Sequence, residues 1–353
     1  MLNDLRDQFQ GRRILVTGGT GSIGREIVRQ LLQWNPEVVR IFSRNENNQF
    51  NESQNLSHHQ NVRFLIGDVR DKDRLKRACE DIEFIFHAAA LKHVPFCEYN
   101  PFEAVKTNVI GTQNLIEVAL ECGVKKVVAV NTDKSVSPIN TMGATKLLAE
   151  KLVIAAQEYK GSRKTAFSSV RFGNVIGSDG SVFKTFINQA QQGGPVTVTD
   201  PGMCRFIMTI PDAVDLVLHA AELSQGGEVF ILKMPALKII DLAEVIIDEI
   251  APYDKIRITI SGSRPGEKLH EELMTREESP YTIEQEGMYI LRPLAGKQKI
   301  NSTLKVYSTE TSPLMSKTEI RKYIIQKKLL PRFTPELAPL SSKPKEPEIS
   351  IFT

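Results

Sequence analysis

An α/β fold follows from three observations: a doubly wound parallel sheet of the Rossmann type, carrying a smaller mixed α/β lobe. Short apolar runs of four to seven residues alternate with helical patterns through about residue 171, as strand–helix–strand units do. The first run passes directly into a glycine-rich turn and then into a helical pattern. After Arg171 the alternation loosens into glycines and turns through residue 205, as expected where a second unit is grafted on. With 353 residues, 41% of them hydrophobic, the chain can bury one large core and an appended lobe. The boundaries read as residues 1–173 plus about 206–235 for the doubly wound domain, 174–205 plus about 236–330 for the lobe, and 331–353 for a tail.

Arg13, Ile14, Leu15 and Val16 make a buried parallel strand. It leads through Thr17 to Gly18, Gly21 and Gly24, spaced GxxGxxG, with Ile27, Leu31 and Leu32 marking the helix behind them. Glycines there let the backbone turn tightly and approach a pyrophosphate, whose charge rests on the helix N-terminus. The strand-to-helix context gives the spacing its meaning, against the plainer reading of a turn without ligand. A second strand, residues 38–42, ends at Ser43 and Arg44. Arginine suits the 2′-phosphate of NADP, whereas an acidic residue suits the ribose hydroxyls of NAD; Glu46, two residues on, keeps NAD open.

The third strand, residues 64–69, brings Asp68 to its end, placed to accept from the adenine amine or simply to cap the next turn. The fourth, residues 84–90, closes in Ala88, Ala89 and Ala90, small enough for the chain to pass close to a cofactor. His87 reads as a packed strand-end residue rather than a base. Strands 126–130 and 166–170 flank a helix that runs to residue 159. A helix at 212–223 and a strand at 229–232 return to the main sheet, and mixed elements from 238 to about 328 complete the lobe.

Net charge is +3 with the signs interspersed, which indicates neither nucleic acid nor a membrane surface as partner. The mild basic excess suits an anionic substrate. Cys79, Cys97, Cys122 and Cys204 are scattered, without a CxxC pair or histidines at zinc spacing. They read as reduced, buried residues of a reducing compartment, the cytoplasm. The N-terminus shows no apolar signal region, and no run reaches the length of a membrane span. Residues 108–119 and the helix after Met142 carry apolar residues on more than one face: Val109, Ile110, Leu115 and Ile116, then Leu147, Leu148, Leu152 and Val153. That surplus predicts a homo-oligomer. The tail, with prolines at 331, 335, 339, 344 and 347, has too few apolar anchors to fold alone and reads as disordered or strapped across a neighbour.

The motifs TGGTGSIG, SRNE, GDVRD, HAAALKHVP, NVIGTQNL, NTDKSVSPINTMGATK, RFGNVIGSDGSV and RPGEKLHEEL occur in that order. Together they resemble the nucleotide-sugar 4,6-dehydratase branch of the extended short-chain dehydrogenase/reductases. The likeness is strongest to the inverting UDP-N-acetylglucosamine 4,6-dehydratases of polysaccharide and pseudaminic acid synthesis, and it spans roughly residues 10 to 275. Four residues before Lys146 a short-chain reductase carries a catalytic tyrosine; this chain carries Met142, which neither holds nor gives a proton. Some members of the branch have Met at this place. The acid/base chemistry is then expected at Thr132, Asp133 and Lys134, just after an apolar strand, where α/β sheets bind ligands.

The resemblance implies a bound nicotinamide cofactor, NADP with NAD as the alternative. It implies cofactor contacts at Gly18, Thr20, Gly21, Ser22, Ile23, Gly24, Ser43, Arg44, Asn45, Asp68, Val69, Ala88, Ala89, Lys92, Asn108, Met142 and Lys146. It implies substrate contacts at Lys92, Lys134, Asn174, Lys184, Thr197, Arg205, Arg264 and Glu267, arginine suiting a diphosphate. Lys134 is expected to remove the C5 proton if burial and a nearby cation depress its pKa. Asp133 is expected to protonate the departing C6 hydroxyl, and Lys146 to hold the nicotinamide ribose. A UDP-GlcNAc 5,6-dehydratase, a UDP-sugar 4-epimerase and a non-catalytic NADP-binding regulator are the alternatives, Met142 speaking against the epimerase.

Overall fold

The computed structural model describes residues 5–178, 180–253, 255–285, 287–292 and 306–331; the expected tail lies almost wholly outside these. Its strands are β1 Arg13–Thr17, β2 Val38–Ser43, β3 Val62–Ile66, β4 Phe84–His87, β5 Lys126–Val130, β6 Ala166–Arg171, β7 Asn174–Ile176 and β8 Val196–Val198. They continue as β9 Cys204–Thr209, β10 Val229–Leu232, β11 Ala236–Lys238, β12 Ile258–Ile260, β13 Glu272–Met274, β14 Thr282–Gln285, β15 Met288–Leu291 and β16 Tyr307–Ser308.

The main sheet runs β14-β15-β10-β6-β5-β4-β1-β2-β3. Its seven strands from β10 to β3 pair in parallel, and β15 and β14 add an antiparallel hairpin at the β10 edge. β1 pairs with β2 on one side and β4 on the other, so the winding reverses between β1 and β4. A crevice opens at the carboxyl ends of strands where that happens. Ile14, Leu15 and Val16 are fully buried because helices cover both faces of the sheet. On one face Ile27, Val28 and Leu31 of the helix Ser22–Leu32 pack with Val214 and Val217 of Ile210–Leu223. On the other, Leu75, Leu115, Ile116 and Val153 come from the helices Lys72–Cys79, Gly111–Glu121 and Thr141–Tyr159.

The lobe has its own core. Phe183, Phe186 and Ile187 of the helix Val182–Gln191 meet Leu242 and Ile246 of Ile239–Ile250, and Ile320 and Ile324 of Lys317–Gln326. Around it sit the small sheets β11-β9-β7, β12-β8 and β13-β16. The strand at 229–232 joins the main sheet as expected. The hairpin of β14 and β15, which the sequence boundaries assign to the lobe, instead belongs to the main sheet. Through β15 it covers the β10 edge, which an unpaired strand would leave open. Among the described residues no helix is long and apolar enough to cross a membrane.

Candidate active site

Beyond the carboxyl ends of β1, β4 and β5 lies a cavity of about 920 Å³ that reaches from the glycine turn to the lobe. Gly18, Thr20, Gly21, Ser22, Ile23 and Gly24 line its first end. Gly18 has φ +67°, and a Cβ on it would stand 2.7 Å from the Ala89 nitrogen. On Gly24 a Cβ would stand 2.3 Å from the Gly18 carbonyl oxygen. Only glycine lets the turn lie against the end of β4 and the helix lie against the turn. No side chain caps the N-terminus of Ser22–Leu32, where backbone N–H groups and the helix dipole favour an anion. These features fit a dinucleotide's pyrophosphate.

Thr20 Oγ1 donates to Ser43 Oγ at 3.0 Å and ties the turn to the end of β2, where Ser43, Arg44 and Asn45 line the cavity. Asn45 also caps the helix Glu46–Asn55, accepting from the Asn48 N–H at 2.8 Å. Glu46 does not line the cavity. Asp68 does, and its oxygens accept from the Arg70 N–H at 3.0 Å and from Arg70 Nε at 2.9 Å, with Arg44 Nη1 at 3.5 Å. Burial opposes its charge, but these hydrogen bonds and the two guanidinium charges outweigh it and hold the carboxyl below its usual range.

The residues expected to carry acid/base chemistry follow the end of β5. Asn131 Oδ1 accepts from the Thr132 N–H at 2.9 Å, and its Nδ2 donates to Glu150 at 2.7 Å. Thr132 Oγ1 and Lys134 Nζ both donate to Asp133 Oδ1, at 2.8 and 3.0 Å. Thr132 and Lys134 line the cavity, while Asp133 is fully buried and does not. The carboxylate expected to donate to a departing hydroxyl thus lies beneath Lys134, off the cavity lining. Lys134 Nζ also stands 3.5 Å from Glu271 Oε1. Burial works against the ammonium, yet Asp133 and Glu271 outweigh it and raise its pKa, Arg205 opposing. The expected depression is conditional on a nearby cation; in the cofactor-free site the two near anions prevail.

Lys146 has a lowered pKa, pushed down to about 8 by burial, with Glu150 opposing. Its Nζ donates to the Val130 carbonyl at 2.6 Å. Met142, one turn before it, is 4% exposed and packs on Cys97 and Ala104. His87 is buried between the hydroxyls of Thr17 and Thr112, at 2.7 and 3.1 Å, and burial, aided by Lys146, lowers its pKa to about 3. It is a packed, neutral residue, as its place at a strand end suggests.

A family described as polysaccharide biosynthesis protein matches residues 14–293. This chain belongs to that family. A Methanocaldococcus jannaschii protein named an uncharacterized membrane protein is 53% identical over 92% of this chain and 98% of its own length. A Campylobacter jejuni protein named UDP-N-acetylglucosamine 4,6-dehydratase (inverting) is 44% identical over 81% of this chain and 84% of its own. A Rickettsia rickettsii protein named UDP-glucose 4-epimerase is 37% identical over 90% and 96%. The X-ray structure of Pen from Bacillus thuringiensis superposes with a TM-score of 0.87 at 46% identity, covering 91% of this chain and 99% of that one.

In this member of the polysaccharide biosynthesis protein family, the lobe closes the far end of the cavity. Asn174, Thr197, Arg205, Arg264 and Glu267 line it, as do Val69, Ala88, Ala89 and Lys92 on the sheet side. Asn174 Oδ1 is buried without a hydrogen-bond partner among the described residues. Arg205 spends its Nη atoms on the carbonyls of Cys204, Lys268 and Leu269, so it orders that turn while facing the cavity. Two expected residues do not line the cavity, besides Asp133. Lys184 stands on the helix Val182–Gln191, whose Phe183 and Thr185 turn to the cavity instead. Asn108 is buried in the π-turn Val105–Ile110, where it bonds both backbone groups of Leu91 and Thr145 Oγ1; it supports the Lys92 loop from behind. The sequence reading missed Glu271 and Gln189, both of which line the cavity. Glu271 was within reach, in the same EKLHEEL segment as Glu267.

Proposed function

We propose that the chain is a nucleotide-sugar 4,6-dehydratase that holds NADP and converts a UDP-N-acetylhexosamine, UDP-GlcNAc in the first place, to a 4-keto-6-deoxy sugar with inversion at C5. One observation carries the reading. The proton-active groups facing the cavity at the end of β5 are Thr132 and Lys134, backed by Asp133, while the position of a reductase tyrosine is the thioether of Met142. A relative at 44% identity carries the dehydratase name, which supports the reaction class.

The residues divide the work. Gly18, Gly21 and the N-terminus of Ser22–Leu32 receive the pyrophosphate. Arg44, facing the cavity where Glu46 does not, receives the 2′-phosphate and favours NADP over NAD. Lys146 donates to the nicotinamide ribose. A bound nicotinamide supplies the hydride acceptor for sugar C4 and the donor for C6. Thr132 holds the C4 hydroxyl, which gives up its proton to water as it becomes the ketone; once C6 is reduced, water supplies the proton that C5 regains. The resulting ketone acidifies C5–H, and Lys134 in its neutral form takes that proton. Returned to the ammonium, Lys134 protonates the C6 hydroxyl as the C–O bond breaks. Arg264 offers its guanidinium group to the diphosphate, Arg205 holds the turn beside it, and Thr197 and Gln189 line the nucleotide end. The four cysteines are free, which accords with work in a reducing cytoplasm.

Incubation with UDP-GlcNAc and no added reductant tests the reading by mass. Loss of one water is the expected result. A product of unchanged mass would establish an epimerase, the name some relatives carry.

A further inference from the structure

Lys134 needs a neutral amine to act as a base, yet it lies between two carboxylates that favour its ammonium. Asp133 Oδ1 already accepts from Thr132 and Lys134, and although its Oδ2 is buried without a partner among the described residues, the side chain is enclosed and does not line the cavity. Glu271 differs. It precedes β13, its N–H donates to Thr309 Oγ1 at 3.0 Å, and its carbonyl accepts from the Thr309 N–H at 2.9 Å. Thus pinned, it presents a carboxylate to the cavity. Oε1 stands 3.5 Å from Lys134 Nζ and 3.8 Å from Arg205 Nε, and Oε2 is buried without a partner among the described residues.

We propose that Glu271 is the proton partner of Lys134: it takes one proton from the ammonium when substrate seats, leaving the amine free to act on the sugar. The N–H bond breaks, its electron pair remains on nitrogen, and an O–H bond forms on Glu271, so that a charged pair becomes a neutral acid and a neutral amine. The proton returns by the reverse step. Glu271 acts through Lys134 and is a positioning residue by that measure. The charged groups facing it are Lys134, Asp133, Arg205 and Lys268; burial and the Asp133 charge raise its carboxyl pKa, against the three cations. Expelling water from the cavity shifts the balance toward the neutral pair, because burying two separated charges costs more than burying a neutral acid and amine.

The proposal rests on the dehydratase reading, and two readouts separate them. In the cofactor-free protein, NMR titration of the lysine amines should show the Lys134 midpoint falling in Glu271→Gln and lying between the two in Glu271→Asp. With UDP-GlcNAc in heavy water, deuterium entry at C5 should slow about 10- to 100-fold in Glu271→Gln and change its pH profile, with calorimetric NADP binding unchanged. An unmoved midpoint, or C5 exchange at the wild-type rate and pH profile, overturns the proposal while a dehydrating wild type keeps the reading. A wild type that removes no water overturns both. Should Glu271→Gln not fold, wild-type behaviour of Glu271→Asp in both readouts overturns the proposal, and intermediate behaviour supports it.

Discussion

Met142 and Lys146 stand four residues apart on one helix, so they share a face and the same cavity. One has lost the proton chemistry a reductase puts there, and the other holds its proton loosely. In the unfolded chain the Lys146 amine titrates near 10.5, in the folded, cofactor-free chain at about 8. Between those values the unfolded chain binds more protons, so this group's contribution to stability rises with pH across that window and is constant below it. Denaturation of the wild type and Lys146→Met, each at about pH 7.5 and about pH 9.5, should show the wild type gaining on the variant at the higher pH. An unchanged difference would mean that the folded lysine titrates normally. Residue identity was legible where backbone and sequence agree, as at Gly18 and Gly24. The Glu271 contact was not, because no local pattern says that a lobe residue folds back onto Lys134.

The helix Thr141–Tyr159 is the element on which the site turns. Asn140 caps it, accepting from the Gly143 N–H at 2.7 Å, and Gly143 lies so near the acid/base step that a Cβ would stand 2.2 Å from the Lys134 carbonyl oxygen. Gly143→Ala should therefore push the helix from that step, costing about 1–3 kcal/mol of stability in chemical denaturation. An alanine tolerated at full stability would show that the contact is slack. The helix start was readable from its motif; its closeness to Lys134 was not. The hairpin of β14 and β15 was harder still. Its four-residue strands carry no sign of which sheet they join, and pairing with β10 decides it.

The two units are bound to one another by buried charge. Arg171, at the end of β6, is fully enclosed and bonds Glu150 at 2.5 and 2.9 Å and Glu278 of the following segment at 2.8 Å. Nearer the cavity, Asn140 Nδ2 donates to the Gly266 carbonyl and Lys268 Nζ to that of Val136, so the lobe clasps the loop that carries Lys134. The apolar surplus read from the sequence divides in two. Leu115, Ile116 and Val153 are core residues, whereas Ile110 and Leu148 are 43% and 49% exposed, with Phe96, Tyr99 and Phe102 more so. Exposed apolar residues on this scale favour association, and light scattering at micromolar concentration should find a homo-oligomer; a monomer would remove the support. In the proposed reaction Lys134 moves the sugar proton in place of residue 142. Proton NMR of UDP-GlcNAc turnover in heavy water, with wild type and Lys134→Ala side by side, tests it most directly. The wild type should give a dehydrated product carrying deuterium at C5, and the variant a rate lower by about 10²- to 10⁴-fold with NADP still bound; near-normal turnover by Lys134→Ala would contradict the assignment.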